Sequence, residues 1–174
     1  MYAAIIGCGY SGLVTAITCR LEGIPVRIFE ASDQPSDIGG SITMFPNSMK
    51  ILRTIGLADC IIEAGVVITR AEFRDSTGAY LVTRSMGTSA LYGEPTVTIR
   101  RVLLHRLLRQ KADAMAIKIE YGKRVSSINQ DSNGVTIYFS DNTDVHAEVA
   151  IGCDGSNAIS RKSVLEKEVV PTYA

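Results

Sequence analysis

Three glycines near the N-terminus have a spacing that suits phosphate binding. Gly7, Gly9 and Gly12 fit the pattern G-x-G-x-x-G in the segment GCGYSG. We expect Gly7 to permit a tight turn after a strand, Gly9 to let the backbone approach a pyrophosphate, and Gly12 to let a helix pack closely on that strand. The helix that follows would offer its first N–H groups, including those of Tyr10 and Ser11, to the phosphates.

An acidic residue follows this glycine loop at the distance expected for a dinucleotide site. Glu30 ends the apolar segment VRIFE, 18 residues after Gly12. Its carboxylate would accept hydrogen bonds from the ribose of an adenosine and would repel a 2′-phosphate. The sequence therefore predicts FAD or NAD as the dinucleotide, rather than NADP. The alternative is a flexible glycine loop beside a surface glutamate, which the order of strand, loop and helix disfavours.

The hydrophobic pattern predicts the elements that position these residues. The pattern predicts a β-α-β unit with apolar, parallel strands at 3–6 and 26–30 and a helix between them at 10–22. Further helices are expected at 46–52, 57–64 and 101–112, and a hairpin at 66–84. Alternating segments predict a β-meander that returns into one more apolar strand, at 117–121, 124–130, 135–140 and 144–151. The predicted fold class is α/β, a nucleotide-binding core with an antiparallel extension.

Composition excludes several classes of function. The 174 residues carry 18 Lys+Arg and 18 Asp+Glu, and this zero net charge argues against a nucleic-acid partner. The first 19 residues are uncharged, but they lack the basic start of a signal peptide, and their glycines argue against a membrane span. The four cysteines are Cys8, Cys19, Cys60 and Cys153, and because they contain no C-x-x-C pair we expect no metal site. We expect all four to be buried, reduced thiols in a cytoplasmic protein.

These motifs resemble those of the FAD-dependent aromatic hydroxylases, the class A flavoprotein monooxygenases that include hydroxybenzoate and salicylate hydroxylases. The similarity extends along the whole chain. GCGYSG with Glu30 is similar to the family's FAD fingerprint, and IGGSI at 38–42 with FPN at 45–47 resembles its second loop and helix. The segment IRR at 99–101 resembles the start of the family's R-x-x-L-x-x-x-L helix, which implies that Arg101 reaches the flavin. IGCDG at 151–155 with Arg161 resembles the DG motif, whose aspartate is associated with FAD and NAD(P)H binding.

The resemblance implies an FAD/NAD(P)-binding Rossmann-like domain with a β-meander and the start of an antiparallel substrate-domain sheet. Residues 1–64 would form the FAD-binding β-α-β core, 65–99 the start of the substrate-binding sheet, and 100–174 a return to the FAD-binding domain. It identifies no catalytic residue. The implied cofactor-binding residues are Gly7, Gly9, Tyr10, Ser11, Gly12, Glu30, Gly40, Arg101, Val125, Asp154 and Gly155.

The chain departs from the family pattern in three places. Family members commonly have Ser where this chain has Ala158, and the Arg often found before the second loop has no counterpart among Ser36 and Asp37. The family also continues into a GD motif and the rest of its substrate domain. We therefore expect this chain to be an N-terminal part, inactive alone, that associates with itself or with a missing C-terminal half through uncovered apolar strands.

The resemblance implies that FAD, reduced by NADPH or NADH, serves to hydroxylate an aromatic or other electron-rich small molecule. The cofactor would supply the chemistry, while the protein binds and orients the reactants. Two alternatives stay open. One is another FAD oxidoreductase, such as a reductase or a halogenase, because the fingerprint specifies nucleotide binding rather than reaction type. The other is a truncated, non-catalytic nucleotide-binding fragment.

Overall fold

A computed structural model describes residues 2–35, 39–156 and 158–165 of the chain. The strands are β1 (Ala3–Ile6), β2 (Val26–Phe29), β3 (Ser41–Met44), β4 (Val66–Ile68), β5 (Arg70–Arg74), β6 (Tyr80–Ser85), β7 (Thr96–Arg100), β8 (Lys118–Glu120), β9 (Val125–Asp131), β10 (Gly134–Phe139), β11 (Asp144–Ala147) and β12 (Val149–Gly152). The helices are α1 (Tyr10–Leu21), α2 (Pro46–Thr54), α3 (Ala58–Ala64), α4 (Ser89–Tyr92), α5 (Arg101–Ala114) and α6 (Ile159–Leu165). The chain divides into two compact units, the first formed by Met1–Ser36 and Leu108–Ala174 and the second by Asp37–Leu107.

The first unit is built on a parallel sheet of four strands in the order β12-β1-β2-β8. Strand β1 lies inside this sheet and pairs in parallel with both β2 and β12. All four of its residues are buried, which is typical of a parallel strand that is covered on both faces. The predicted β-α-β unit with parallel strands is therefore confirmed.

Two elements cover this parallel sheet. Helix α1 packs on β1 and β2 and buries residues at helical spacing, namely Gly12, Leu13, Ala16 and Ile17. The antiparallel sheet β11-β10-β9 packs on the face that carries Ala4 and Ile6. In the core between the two sheets, the rings of Phe29 and Phe139 lie 5.2 Å apart. Because successive side chains of β1 point to opposite faces of the sheet, β1 contributes residues both to the core against α1 and to the core against the antiparallel sheet.

The β-meander has fewer strands than the pattern predicts. Strand β8 pairs in parallel with β2, so it belongs to the parallel sheet. The segment predicted as one strand at 144–151 divides at Glu148 into β11, which pairs with β10, and β12, which pairs with β1. The N–H of Glu148 donates to the carbonyl of Tyr2 at 3.1 Å, where the chain passes from one sheet to the other. A hydrophobic pattern shows that a segment is a strand, but it does not show which strand will be its neighbour.

The second unit contains an antiparallel sheet in the order β3-β7-β4 and a separate hairpin of β5 and β6. The predicted hairpin is confirmed for β5 and β6, whereas β4 pairs with β7. Strand β3 occupies part of the segment that was predicted only as a loop, and it also pairs with β7. The helices expected at 46–52 and 57–64 are present as α2 and α3. The functions assigned to residues 1–64, 65–99 and 100–174 stay predictions.

The cysteines differ in burial, although burial was expected for all four. Cys8 is buried, Cys19 and Cys153 are half-buried, and Cys60 is exposed. The prediction is wrong for Cys60 because α3 buries Ala58 and Ile61 and turns Cys60 away from them. An apolar sequence around a residue does not fix which face of a short helix that residue occupies.

The residues that the structure describes provide neither a membrane-spanning helix nor a metal-binding cluster. None of their helices combines the length and the hydropathy needed to cross a membrane. No group of three or more His, Cys, Asp or Glu side chains among them is placed to hold a metal ion.

One arginine connects three segments of the second unit. Arg53, in α2, donates from Nε and Nη2 to the two carboxylate oxygens of Glu94 at 2.7 and 3.0 Å. Its Nη1 donates to Asp59 of α3 at 2.5 Å. Glu94 is only 7% exposed, and the hydrogen bonds from Arg53 hold the pKa of its carboxyl below the ordinary value of 4.5. The Arg53 side chain is 42% exposed and also pairs with Asp59, so loss of the Glu94 charge should cost less than breaking a fully buried pair.

We expect Glu94→Gln to lower the melting temperature at pH 7 by on the order of 5 °C. Because the folded-state pKa of Glu94 is lowered, its stabilisation is present above the unfolded pKa and is lost as the pH falls through the folded value. Below about pH 4.5, the melting temperature of the unaltered chain should therefore fall more steeply than that of Glu94→Gln. Glu72→Gln, which breaks an exposed pair with Arg74, is the matched control and should change little. Parallel pH curves for Glu94→Gln and the unaltered chain would contradict the assignment.

Candidate functional site

The carboxyl ends of the parallel strands bring predicted site residues of the first unit to one edge. Gly7 and Gly9 follow β1, Glu30 directly follows β2, and Asp154 and Gly155 follow β12. Because these three strands are parallel and adjacent, the loops that follow them emerge at the same edge of the sheet. In open α/β sheets this is the edge at which ligands bind.

These loops line a cleft of about 400 Å³, a volume within the range of small-molecule sites. The predicted residues that line it are Gly7, Gly9, Glu30, Val125, Asp154 and Gly155. Three others, Tyr10, Ser11 and Gly12, form the first turn of α1 directly after the glycine loop. Residues far apart in the sequence thus meet at one concave surface.

Each glycine of the loop has its own structural reason. Gly7 has a φ of +103°, and a Cβ there would meet the carbonyl oxygen of Cys153 at 2.5 Å. A Cβ on Gly12 would collide with the carbonyl oxygen of Gly7. A Cβ on Gly9, which lines the cleft, would have no described heavy atom within 4 Å. Gly7 and Gly12 therefore permit close approach within the protein, whereas Gly9 leaves space for a ligand.

Helix α1 begins at this cleft with first-turn N–H groups outside its helical hydrogen bonds. The first helical bond joins the N–H of Leu13 to the carbonyl of Gly9 at 3.0 Å. No side chain in the described part of the chain caps this end of the helix, and its first turn contains no acidic residue. The N–H groups of Ser11 and Gly12 thus lie at the positive end of the helix dipole, which favours an anionic group.

The carboxylate of Glu30 is held by backbone N–H groups on two sides. Its Oε2 accepts from Cys8 of the glycine loop at 2.7 Å, and its Oε1 accepts from Ser32 at 2.8 Å. A carboxylate has about four acceptor positions, so these two bonds leave acceptors for ribose hydroxyl groups. Sequence reasoning identified Glu30 but did not foresee that it also fixes the glycine loop.

The thiol of Cys8 has no reactive character at neutral pH. Cys8 is 3% exposed, and burial raises its pKa to about 11. Its side chain hydrogen-bonds that of Tyr121, whose pKa is also raised by burial. The reactive form of cysteine is the thiolate. The residue inside the glycine loop therefore packs and supports the loop.

Two basic residues beside Val125 also line the cleft, and the sequence prediction did not include them. Lys123 donates from Nζ to Asp141 at 2.6 Å and to Thr143 at 2.8 Å. Arg124 is exposed. Cationic side chains near the start of a helix suit a ligand that carries phosphates. The sequence signal that could have found them is their position immediately before the predicted Val125.

The carboxylate of Asp154 is held by a single serine. Its Oδ1 accepts from Ser160 Oγ at 2.5 Å, and its Oδ2 accepts from the Ser160 N–H at 3.1 Å. Arg161 donates to the carbonyl oxygens of Ser156 at 2.8 Å and Gly155 at 3.4 Å. The turn after β12 is thus fixed by the start of α6. Sequence reasoning singled out Asp154 and Arg161 but missed Ser160.

The other two predicted residues, Gly40 and Arg101, lie in the second unit and contact each other. The N–H of Arg101 donates to the carbonyl of Gly40 at 2.9 Å. Gly39 has a φ of +139°, and a Cβ there would meet Arg101 Cβ at 3.2 Å. The start of α5 is thereby packed against the second glycine loop. Ile38 of that loop, and the comparison that involves Ser36 and Asp37, lie outside the described residues.

Comparison with known proteins connects this site to flavin enzymes. The sequence profile of the family described as FAD binding domain matches residues 1–170. The chain is 32% identical over 174 residues to a 3-amino-4-hydroxybenzoate 2-monooxygenase of Streptomyces cremeus, covering 98% of this chain and 43% of that protein. It is 33% identical over 177 residues to a 6-hydroxynicotinate 3-monooxygenase of Pseudomonas fluorescens, covering 98% of this chain and 44% of that protein.

A solved structure gives the same result at the level of the fold. The chain superposes on Klebsiella pneumoniae HpxO complexed with FAD and uric acid, with a TM-score of 0.82 and 27% sequence identity. The match covers 96% of this chain and 42% of that one. The chain therefore spans less than half the length of the proteins that it matches.

The contrast between two glycines provides a test of the loop geometry. We expect Gly9→Ala to change the free energy of unfolding by less than about 1 kcal/mol, because its Cβ enters open space and its backbone is extended. Gly12→Ala should cost about 2–3 kcal/mol, because its Cβ collides with the carbonyl of Gly7. Urea unfolding of both variants without ligand measures the difference. Equal losses would contradict the proposed division of roles.

Proposed function

Because this chain belongs to the FAD binding domain family, we propose that it binds FAD in the cleft at the carboxyl edge of the parallel sheet. The observation that carries this proposal is the open space at Gly9, directly before the first turn of α1, at an end of the helix that no described side chain caps. That arrangement allows a pyrophosphate to approach backbone N–H groups without obstruction by a Cβ. The acceptor positions left on Glu30 suit the ribose of the adenosine portion.

The remaining predicted residues extend the same proposal. Asp154, Gly155 and Val125 line the cleft, and we assign them to the cofactor as well. Gly40 and Arg101 belong to the second unit, and we assign Arg101 to the flavin end of the cofactor on the strength of the resemblance. Arg124, which also lines the cleft, adds positive charge that favours a diphosphate, whereas the charge of Lys123 is compensated by Asp141.

We infer that the whole protein is an NAD(P)H-dependent monooxygenase that hydroxylates an aromatic or other electron-rich small molecule. The support is the activity of the two relatives, which are monooxygenases of 3-amino-4-hydroxybenzoate and 6-hydroxynicotinate. FAD, when bound, supplies the redox chemistry of such reactions, while the protein binds and orients the reactants. The raised pKa of Cys8 agrees with this division, because the loop at the cleft offers no thiolate. We place this activity in the cytoplasm.

A second proposal concerns partners. In the second unit the hairpin of β5 and β6 exposes large apolar side chains, with Phe73 50%, Tyr80 58% and Leu81 59% exposed. Tyr80 and Leu81 are consecutive in β6, so apolar side chains are exposed on both faces of the hairpin, and such surface favours contact with a covering layer. The match to 43–44% of the relatives' length supports a C-terminal half, or a second copy of the chain, as the covering layer.

Flavin titration tests the cofactor assignment. We expect the 174-residue chain to bind FAD and ADP, and we expect Glu30→Gln to bind both more weakly by on the order of tenfold, the effect of losing a hydrogen bond to a charged group. Because the charge is lost, the variant should also discriminate less between ADP and 2′-phospho-ADP. Glu148→Gln, an exposed glutamate of the same unit outside the cleft, is the control. Unchanged affinities in Glu30→Gln would remove Glu30 from the site.

A turnover assay tests the assignment of the larger activity. With FAD, NADH or NADPH and a panel of hydroxylated benzoates and hydroxypyridines, we expect the 174-residue chain to form no hydroxylated product. The reason is that the 174 residues match only 43–44% of the relatives' length, whereas hydroxylation also requires a bound substrate and a reacting centre from which water is excluded. Fusion to the C-terminal portion of a relative should restore product formation, measured by chromatography. Stoichiometric hydroxylation by the 174-residue chain would contradict this prediction.

A further inference from the structure

We propose that Ser160 is a positioning residue that holds the Asp154 carboxylate in the orientation needed to contact the cofactor. This inference rests on the proposed FAD site and adds to it a residue that neither the motif nor the resemblance identified. Asp154 lines the cleft, and Ser160 donates to both of its oxygens, from Oγ at 2.5 Å and from the backbone N–H at 3.1 Å. Two donors from one residue fix both the position and the plane of a carboxylate.

The reason for this arrangement lies two residues earlier. Ala158 directly precedes α6, at the position where a serine side chain would ordinarily accept the N–H of the second or third helical residue. Alanine has no side-chain acceptor. The N–H of Ser160, the second residue of α6, is accepted instead by Asp154. Because Ala158 cannot accept this N–H, the Asp154 carboxylate caps the start of α6 instead. The Ser160 hydroxyl donates a second hydrogen bond to the same carboxylate.

The backbone around Ser160 is shaped for this contact. Gly152 ends β12, and a Cβ at that position would meet Ser160 Cβ at 2.6 Å, a separation that real side chains do not tolerate. Glycine at 152 therefore admits Ser160 to the space behind the turn. The half-buried position of Ser160 limits competition from water for its hydroxyl group.

Holding the carboxylate in this way leaves it able to bind a ligand. The two bonds from Ser160 use about half of the acceptor positions of Asp154, one on each oxygen. The remaining lone pairs are available in the cleft. A carboxylate whose orientation is already fixed loses less conformational freedom when a ligand binds. Loss of the Ser160 hydroxyl should therefore weaken cofactor binding through Asp154 alone.

A double-mutant cycle on the full 174-residue chain tests this inference. FAD affinity is measured by quenching of flavin fluorescence, and stability without FAD by urea unfolding, for Ser160→Ala, Asp154→Ala and the double variant. We expect Ser160→Ala to weaken FAD binding by on the order of tenfold. In the Asp154→Ala background the same substitution should have no further effect on FAD affinity. Ser160→Thr, which keeps the hydroxyl, should bind within about threefold of the unaltered chain.

Ser163→Ala is the matched control, because Ser163 is an exposed serine of the same helix. It should leave FAD affinity unchanged. Should Ser160→Ala fail to fold, Ser160→Cys, of similar size but a poorer donor, replaces it in the cycle with the same expected coupling. Two results would overturn the role of Ser160 only. One is equal FAD affinity in the unaltered chain and the Ser160 variant. The other is an equal loss of FAD affinity when Ser160 is substituted in the unaltered chain and in the Asp154→Ala variant. Absence of FAD binding by the unaltered chain would overturn the proposed function and this inference with it.

Discussion

The parallel pairing of β1 with β2 on one side and with β12 on the other is the constraint on which the cleft depends. It places the loops from both ends of the first unit at a single sheet edge. Hydrogen bonds continue this pairing into the loops, since Gly7 donates to Phe29 and Cys153 donates to Ile6, both at 2.8 Å. The glycine loop is therefore held between two other loops. The loop after β2 carries Glu30, and the loop after β12 carries Asp154.

Much of the first unit could be predicted because its signals are local. The tight turn at Gly7 and the alternation of apolar residues in β1 depend on residues close together in the sequence. The sheet to which β8 and β12 belong could not be predicted, because their partners are distant and an apolar strand suits either sheet. The same limit explains β4, which has a hairpin pattern but pairs with β7. Local pattern determines that a strand forms, and packing determines its neighbour.

The candidate site shows the same division at the level of side chains. Glycines and acids were identifiable because a phosphate loop and a ribose contact require those residue types at those positions. The donors that hold the acids were not identifiable. The N–H of Cys8 is available to Glu30 because two loops approach each other in the fold, and any residue type except proline could provide it. Ser160 lies six positions beyond Asp154, and the resemblance places its common serine at 158, where this chain has alanine.

Glu30 and Asp154 both hold protein loops through hydrogen bonds, and in the proposed FAD site this structural task would favour binding. A carboxylate that already accepts hydrogen bonds from protein groups is fixed in direction, so less conformational freedom is lost when a ligand binds. The buried thiol of Cys8 retains its proton at neutral pH, because burial raises its pKa to about 11. The first unit thus has the character of a preorganised binding surface. In the proposed FAD site, the cofactor would supply the redox chemistry, while this edge of the first unit would bind and orient it.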